Sequence, residues 1–205
     1  MKLYSQHIFP HLEAIATSGL KSKRKRLLSS AFGNVLEIGT GAGQNFQFIN
    51  SNITSYTALD PSSAFISKAL KHSKKLHKHK AINLIQGNAE NLSFKTNSFD
   101  TVICFLVLCT VFDIIESIKQ IKRVLKPDGK LLLFEHVLAT NAKVSKWQHF
   151  LNPLWSQIGC GCNLTRNTLS LINNEGFNSF DVSCYQSSSM GFPITSQVIE
   201  GIARN

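Results

Sequence analysis

The chain has 205 residues, 43% of them hydrophobic and 17% charged, with a formal net charge of +10. That length suits one domain able to bury a core without help from metals or disulfides. The longest apolar run, Val102 to Phe112, is interrupted by Thr110 and too short to span a bilayer.

Residues Met1 to Pro10 lack a basic start followed by an apolar core, so no secretory leader is expected and the cytoplasm is the default compartment. Five cysteines, an odd set without such a leader, argue against a disulfide framework.

In chain order, residues 3–16 and 22–31 read as helices with Gly19 as the break between them. Short β-branched and leucine runs then predict strands at 34–38, 55–59, 82–86, 101–105 and 130–135. Helices are expected between them at 43–50, 62–78 and 113–125, with Pro127, Asp128 and Gly129 as the turn into the fifth strand. Residues 145–158 and 165–175 read as helices, Gly176 stops the second, and 178–185 and 197–203 are closing strands able to pair antiparallel. Strand and helix in alternation define an α/β fold, a mostly parallel sheet covered by helices on both faces.

Much of the positive charge sits in Lys21 to Arg26 and in Lys68 to Lys80, both read as helices with a solvated face. Peripheral contact with an acidic membrane through these basic helices is one expectation. Nucleic acid is not an expected partner, because the fourth strand runs into Phe105 to Leu108 without the N/D-P-P-Y/F signature of base-amine modification.

The most informative stretch is Val35 to Asn45, VLEIGTGAGQN, where a buried strand delivers an acid and then a turn with Gly39, Gly41 and Gly43. Such a turn lets a ligand approach the backbone, as it does in dinucleotide enzymes. Here the spacing is G-x-G-x-G and Glu37 stands two residues before the first glycine. A pyrophosphate is repelled by that carboxylate, whereas an ammonium or sulfonium is attracted. A nicotinamide oxidoreductase is therefore disfavoured.

Asp60 ends the second strand about twenty residues after the glycine turn, where an acid can accept both ribose hydroxyls of an adenosine; the other reading is an N-cap for the helix beginning near Ser62. After the third strand comes GNAENLSF, in which Asn88 and the Ala89 N–H can meet an adenine edge, or which simply forms a polar loop.

The glycine turn, Asp60, G-N-A-E-N-L-S-F, S-F-D-T-V and R-V-L-K-P-D-G-K-L-L-L-F-E-H together resemble the class I S-adenosylmethionine methyltransferases over residues 33–137. F-L-V-L-C-T-V at Phe105 to Val111, E-H-V at Glu135 to Val137, N-P-L-W within Trp147 to Trp155, and C-N-L-T-R at Cys162 to Arg166 are similar to one subgroup. It includes the animal thiol methyltransferases of the methyltransferase-like seven type and their bacterial relatives. Asn88 departs from the Asp that many relatives carry, and the N-terminus lacks the long apolar anchor of the animal membrane-associated members.

The resemblance implies a Rossmann-like, doubly wound, seven-stranded sheet with an antiparallel last strand and the cofactor at the carboxyl ends of the strands. That cofactor is S-adenosyl-L-methionine, leaving as S-adenosyl-L-homocysteine. Within a single domain it implies a helical lid over 1–32, a cofactor-binding core over 33–137, and substrate-side helices with closing strands over 138–205. Cofactor contacts are implied from Glu37, Gly39, Thr40, Gly41, Gly43, Asn45, Asp60, Pro61, Ser62, Asn88, Ala89, Glu90, Phe105, Leu106 and Cys109.

The acceptor is then expected to be a small molecule, a thiol or another soft or lipophilic group. A lipid amine, a quinone-type ring and a non-catalytic cofactor-binding module are the alternatives. A thiol must lose its proton, and His136 at the end of the fifth strand is the candidate general base, or else a histidine hydrogen-bonded at a strand end. Trp147, Phe150 and Trp155 either wall an apolar substrate pocket or pack the core. Tyr4 and His11 on the leading helix either close over the site or lie on the surface, and Cys109 is either a buried small hydrophobe or a lining residue. Cys160 and Cys162 form C-G-C, half a metal site, but no second pair or His cluster follows at ligand spacing, so no metal is expected.

Overall fold

Runs of β-branched and leucine residues build the centre of the molecule, described here from a computed structural model for Tyr4 and residues 8–76 and 81–205. The ends of two expected helices, residues 3, 5–7 and 77–78, lie outside the described residues. The strands are β1 (Gly33–Ile38), β2 (Ile53–Asp60), β3 (Ile82–Gln86), β4 (Phe99–Phe105), β5 (Leu125–His136), β6 (Ser179–Gln186) and β7 (Gln197–Arg204). The helices are α1 (Phe9–Ala16), α2 (Lys21–Leu28), α3 (Ser63–Lys75), α4 (Ile114–Val124), α5 (Ala142–Ile158) and α6 (Thr168–Asn174).

All seven strands join one sheet in the order β3-β2-β1-β4-β5-β7-β6. The first five are parallel, and β7 runs antiparallel to both β5 and β6. This is the Rossmann-like methyltransferase sheet, with an antiparallel last strand. The order reverses between β1 and β4, so the loops leaving their carboxyl ends diverge and open a crevice there.

Alternate residues of the central strands feed two cores. Leu36, Ile38, Val102, Cys104, Leu131 and Leu133 pack on one face with Ile118 and Ile121 of α4. Val35, Ile103, Leu132 and Phe134 face the other way, against Leu27 and Leu28 of α2 and the rings of Phe46 and Tyr56. Each such leucine or isoleucine contributes about 1.5–3 kcal/mol when fully buried, which outweighs the weak intrinsic helix preference of the isoleucines in α4.

Residues 43–50, expected to be helical, form turns around one short 3-10 segment at Phe46–Phe48. The side chains there serve tertiary bonds in place of a helix: Asn45 donates to Glu37 (2.7 Å), and Asn50 donates to the carbonyls of Leu28 (2.9 Å) and Ala31 (3.2 Å). β5 begins at Leu125, pairs there with Phe99, and resumes regular pairing at Lys130 after the Pro127–Gly129 irregularity. Among the described residues no helix is long and apolar enough to cross a membrane.

Candidate active site

A cleft of about 460 Å³ opens over the carboxyl ends of β1, β2 and β4, within the usual size of small-ligand sites. Its floor is the glycine turn after β1. The Gly39 and Thr40 amides donate to the Leu59 carbonyl at 2.8 and 3.0 Å, which ties the turn to β2. Gly39 has φ +67°, and a Cβ there would lie 2.3 Å from a Val107 methyl. Gly41 has φ +54°, and a Cβ there would meet only the Phe65 ring at 4.0 Å, so a face of open backbone is presented to a ligand.

Asp60 stands at the rim, its Oδ2 accepting the Gly41 amide and its Oδ1 the Ser62 amide, both at 2.9 Å. The cap of α3 is Ser62, whose side chain accepts the Phe65 amide, so Asp60 is free of that duty. Burial pushes its carboxyl up, partly offset by the two amides. Each oxygen keeps a lone pair for a hydroxyl donor.

Glu37, Gly43 and Asn45 do not line the cleft. Glu37 is buried beneath the turn, accepting from Tyr56 Oη (2.8 Å), Thr40 Oγ1 (2.9 Å) and Asn45 Nδ2 (2.7 Å), and burial pushes its carboxyl up despite these donors. Asn45 also accepts from Arg24 Nη1 at 2.8 Å. The acid expected to face the ligand thus braces the loop from below, because three polar neighbours offer it hydrogen bonds inside the protein.

The charges that do line this end are Arg24 and Glu13. The Arg24 guanidinium lies over the Phe105 ring, 4.0 Å from its centroid, and its Nε is buried without a hydrogen-bond partner among the described residues. Burial lowers its pKa, while burial pushes Glu13 up against the opposing pull of Arg24. Neither was singled out from sequence. The signal was present: within KSKRKR, Arg24 is 6% exposed and shares a helical face with buried Leu20, Leu27 and Leu28, while Lys23 and Arg26 turn to Glu200.

Pro61, Ser62, Asn88, Ala89 and Glu90 line the opposite side with Thr40 and Asp60. Glu90 accepts the amides of Phe112 (2.7 Å) and Asp113 (3.2 Å), tying the loop after β3 to that after β4. Phe105 and Leu106 complete the wall, and Leu106 adopts φ +58°, where a side chain is tolerated only because its surroundings hold it.

The lining continues through Thr110, Val111, Phe112, Cys160 and, from α1, Phe9, with Phe112 largely open to solvent. Behind this wall, outside the cleft, lie Cys109 and His136. His136 Nε2 faces Cys162 Sγ at 2.9 Å, Cys162 Sγ lies 4.0 Å from Cys109 Sγ, and the Trp155 indole N–H donates to Cys162 at 3.3 Å. The bond from Cys162, with His136 adding to it, holds the Cys109 thiol well below its usual range and pushes Cys162 up. His136 itself does not line the cleft.

The expected substrate residues scatter. Trp147 and Phe150 are 59% and 74% exposed on the outer face of α5, edge to face with each other. Trp155 packs against Phe192, His11 is exposed on α1, and the Tyr4 hydroxyl donates to the Ile158 carbonyl at 2.7 Å, joining the N-terminal segment to the end of α5.

The sheet order and the cleft at its switch point are those of a Rossmann-like small-ligand-binding domain. Residues 36–133 match the family model described as a methyltransferase domain. Thiol S-methyltransferase TMT1B of Rattus norvegicus is 32% identical over 188 residues, covering 86% of this chain and 76% of the relative. Thiol S-methyltransferase TMT1A of Homo sapiens is 28% identical over the same shares. Among solved structures, the N-methyltransferase NodS of Bradyrhizobium japonicum in complex with S-adenosyl-L-homocysteine superposes with a TM-score of 0.67 at 19% identity, covering 92% of this chain and 86% of that one. The [4+2]-cyclase SpnF superposes at 0.70 and 17%, covering 91% and 79%, so the fold alone does not choose the reaction. The chain belongs to the S-adenosylmethionine-dependent methyltransferases, and its cofactor is S-adenosylmethionine.

Proposed function

We propose that the protein methylates the sulfur of small, largely apolar thiols. The observation that carries this reading is the 32% identity, across 86% of the chain, to a thiol S-methyltransferase. Val111 and Phe9 give the cleft an apolar stretch that suits such an acceptor.

The lining residues support a cofactor laid along the cleft. Asp60 would accept the two ribose hydroxyls, Asn88 and the Ala89 amide would meet the adenine edge, and the turn at Gly41 would let the nucleoside lie on the backbone. Arg24 and Glu13, of opposite sign at the other end, match a carboxylate and an ammonium; the unpartnered Arg24 Nε is the sort of group such a carboxylate satisfies. When bound, S-adenosylmethionine supplies an electrophilic methyl on a sulfonium with a neutral leaving group. The residues of the chain therefore have alignment as their main task, and Phe9 and Glu13 of α1 are placed along the cleft where a covering helix would exclude water. Five cysteines without a disulfide support a reducing compartment such as the cytoplasm.

The test is transfer of a labelled methyl from S-adenosylmethionine to a panel of alkyl and aryl thiols, with amines and quinols of matched size beside them. Thiols are expected to be methylated and the others not. Methylation of amines or quinols in preference, or none at all by protein that binds the cofactor, overturns the reading.

A further inference from the structure

Three soft ligands that are remote in sequence converge behind the acceptor end of the cleft. Cys109 follows β4, His136 ends β5, and Cys162 lies in the turn after α5. One ligand atom from each lies within 4.8 Å of the others. We propose that these residues bind one zinc-class divalent cation and that its fourth coordination position takes the sulfur of the acceptor. The second half of this statement rests on the thiol reading above; the first does not.

Bond lengths support the site. A tetrahedral ion with Zn–S of about 2.3 Å and Zn–N of about 2.0–2.1 Å sets neighbouring ligand atoms roughly 3.5–3.8 Å apart. The sulfurs are at 4.0 Å, the His136–Cys162 pair at 2.9 Å and all three ligand atoms within 4.8 Å of one another, so side-chain shifts of roughly an ångström would place them around one centre. Two thiolates and an imidazole suit zinc and exclude magnesium or calcium, which take oxygen ligands. The set Cys₂His is also that of catalytic zinc sites that keep one position open.

The protein has fixed the ligands in advance. Cys109 sits on a turn whose amides are held by the Glu135 carboxylate, and His136 is the last residue of a strand paired on both sides. The Cys162 amide donates to the Gly159 carbonyl at 3.1 Å. His136 is 3% exposed, and its Nδ1 has no hydrogen-bond partner among the described residues. An imidazole placed among weakly bonding thiols is poorly compensated for burial; a cation supplies what hydrogen bonding does not.

The position also serves the reaction. Thr110, next to Cys109, and Cys160, two residues before Cys162, both line the cleft, so the cluster lies one layer behind the acceptor space, and Cys162 is its least buried member. A thiol that coordinates the ion gives its proton to solvent and keeps a sulfur lone pair. That pair forms the new S–C bond, the sulfonium S–C bond breaks with its electrons going to the cofactor's sulfur, and the neutral thioether, a weak ligand, departs. The expectation of no metal came from C-G-C spacing; the fold sends Cys160 to the cleft and Cys162 to partners 26 and 53 residues away.

The experiment uses the full chain. Metal content is measured after purification without chelators, then zinc and cobalt are titrated into chelator-stripped, reduced protein. Variants Cys109→Ser and Cys162→Ser are compared with the exposed control Cys184→Ser, and S-adenosylhomocysteine binding verifies that each is folded. Expected are one zinc per chain, a thiolate-to-cobalt charge-transfer band, and loss of roughly 100-fold or more in affinity in the two ligand variants, since even outer-sphere changes cost roughly 10–100-fold. An alkanethiol should shift the cobalt spectrum. No stoichiometric binding by the wild type, or equal binding by folded Cys109→Ser and Cys162→Ser, overturns the site. Cobalt bound without any response to thiol overturns the open position. A metal-binding protein that methylates no thiol leaves the site standing and overturns the acceptor reading alone.

Discussion

Glu135 Oε1 lies 2.8 Å from the amide nitrogen of Val107, so the end of β5 holds the loop that leaves β4. The same oxygen accepts from Leu108 at 2.9 Å, and the other oxygen from Cys109 at 3.4 Å. The left-handed Leu106 turns these amides toward one point, where a fully buried carboxylate completes them. This loop is one wall of the cleft and carries Cys109, so one acid connects cofactor wall and sulfur cluster.

Replacing Glu135 by Ala leaves three amides, those of Leu108 and Cys109 buried, without an acceptor and should cost about 2–4 kcal/mol, read as a lower urea midpoint with unchanged m-value. Glu135→Gln keeps one acceptor oxygen and should fall between the two. Equal stability of all three proteins would show that water replaces the carboxylate at no cost.

Arg24→Met removes the guanidinium while keeping an apolar stem against Phe105. Affinity for S-adenosylhomocysteine should fall about 10–100-fold, the worth of about 1.5–3 kcal/mol for a charge-assisted bond. Methylthioadenosine, which lacks the amino-acid tail, should bind about as well as before. Parallel losses for both ligands by calorimetry would assign Arg24 to the fold instead.

Asp60 must be ionised to accept two hydroxyls, and burial pushes its carboxyl above the ordinary 3.8. Cofactor affinity should therefore be full above that raised value and decline as pH falls through it. The sign for folding of the free protein is opposite: the raised group favours the folded state below its unfolded pKa, and that contribution is lost as pH rises through the folded one. Asp60→Asn should bind weakly at neutral pH and lose the acid-side dependence; an unchanged pH profile by calorimetry would remove Asp60 from the ribose site.

Gly41 and Gly39, two of the three glycines of the turn, should separate fold from function. Gly41→Ala adds a methyl toward the ligand at a left-handed position costing about 1–2 kcal/mol, so it should fold and bind cofactor poorly. Gly39→Ala sets a Cβ 2.3 Å from Val107 and should lower the melting temperature more. Thermal melts with and without S-adenosylhomocysteine distinguish the two, and the reverse ranking would be incompatible with the turn described above.

What was legible in the sequence was what chain neighbours decide. Parallel strands draw on short runs rich in β-branched residues and leucine, so β1, the edge strand β3 and β4 stood out at 34–38, 82–86 and 101–105, and a tight turn needs glycine, so the cleft's floor stood out at Gly39 and Gly41. Asp60, Asn88 and Ala89 follow strand ends directly and were placed by that order. The destinations of side chains meeting partners from distant elements were decided only by the tertiary structure. Glu37 turned inward because Tyr56 and Asn45 were there to receive it, and Arg24 left a solvated run because leucines on its own helical face are buried. The 43–50 segment exchanged helix for turns whose asparagines bind elsewhere, and Cys109, His136 and Cys162 met because β4, β5 and the end of α5 finish at one place. Periodicity reports which face of an element is apolar; it carries no information on which remote polar atom will be within 3 Å of a given side chain, and that distance decides what each group can do.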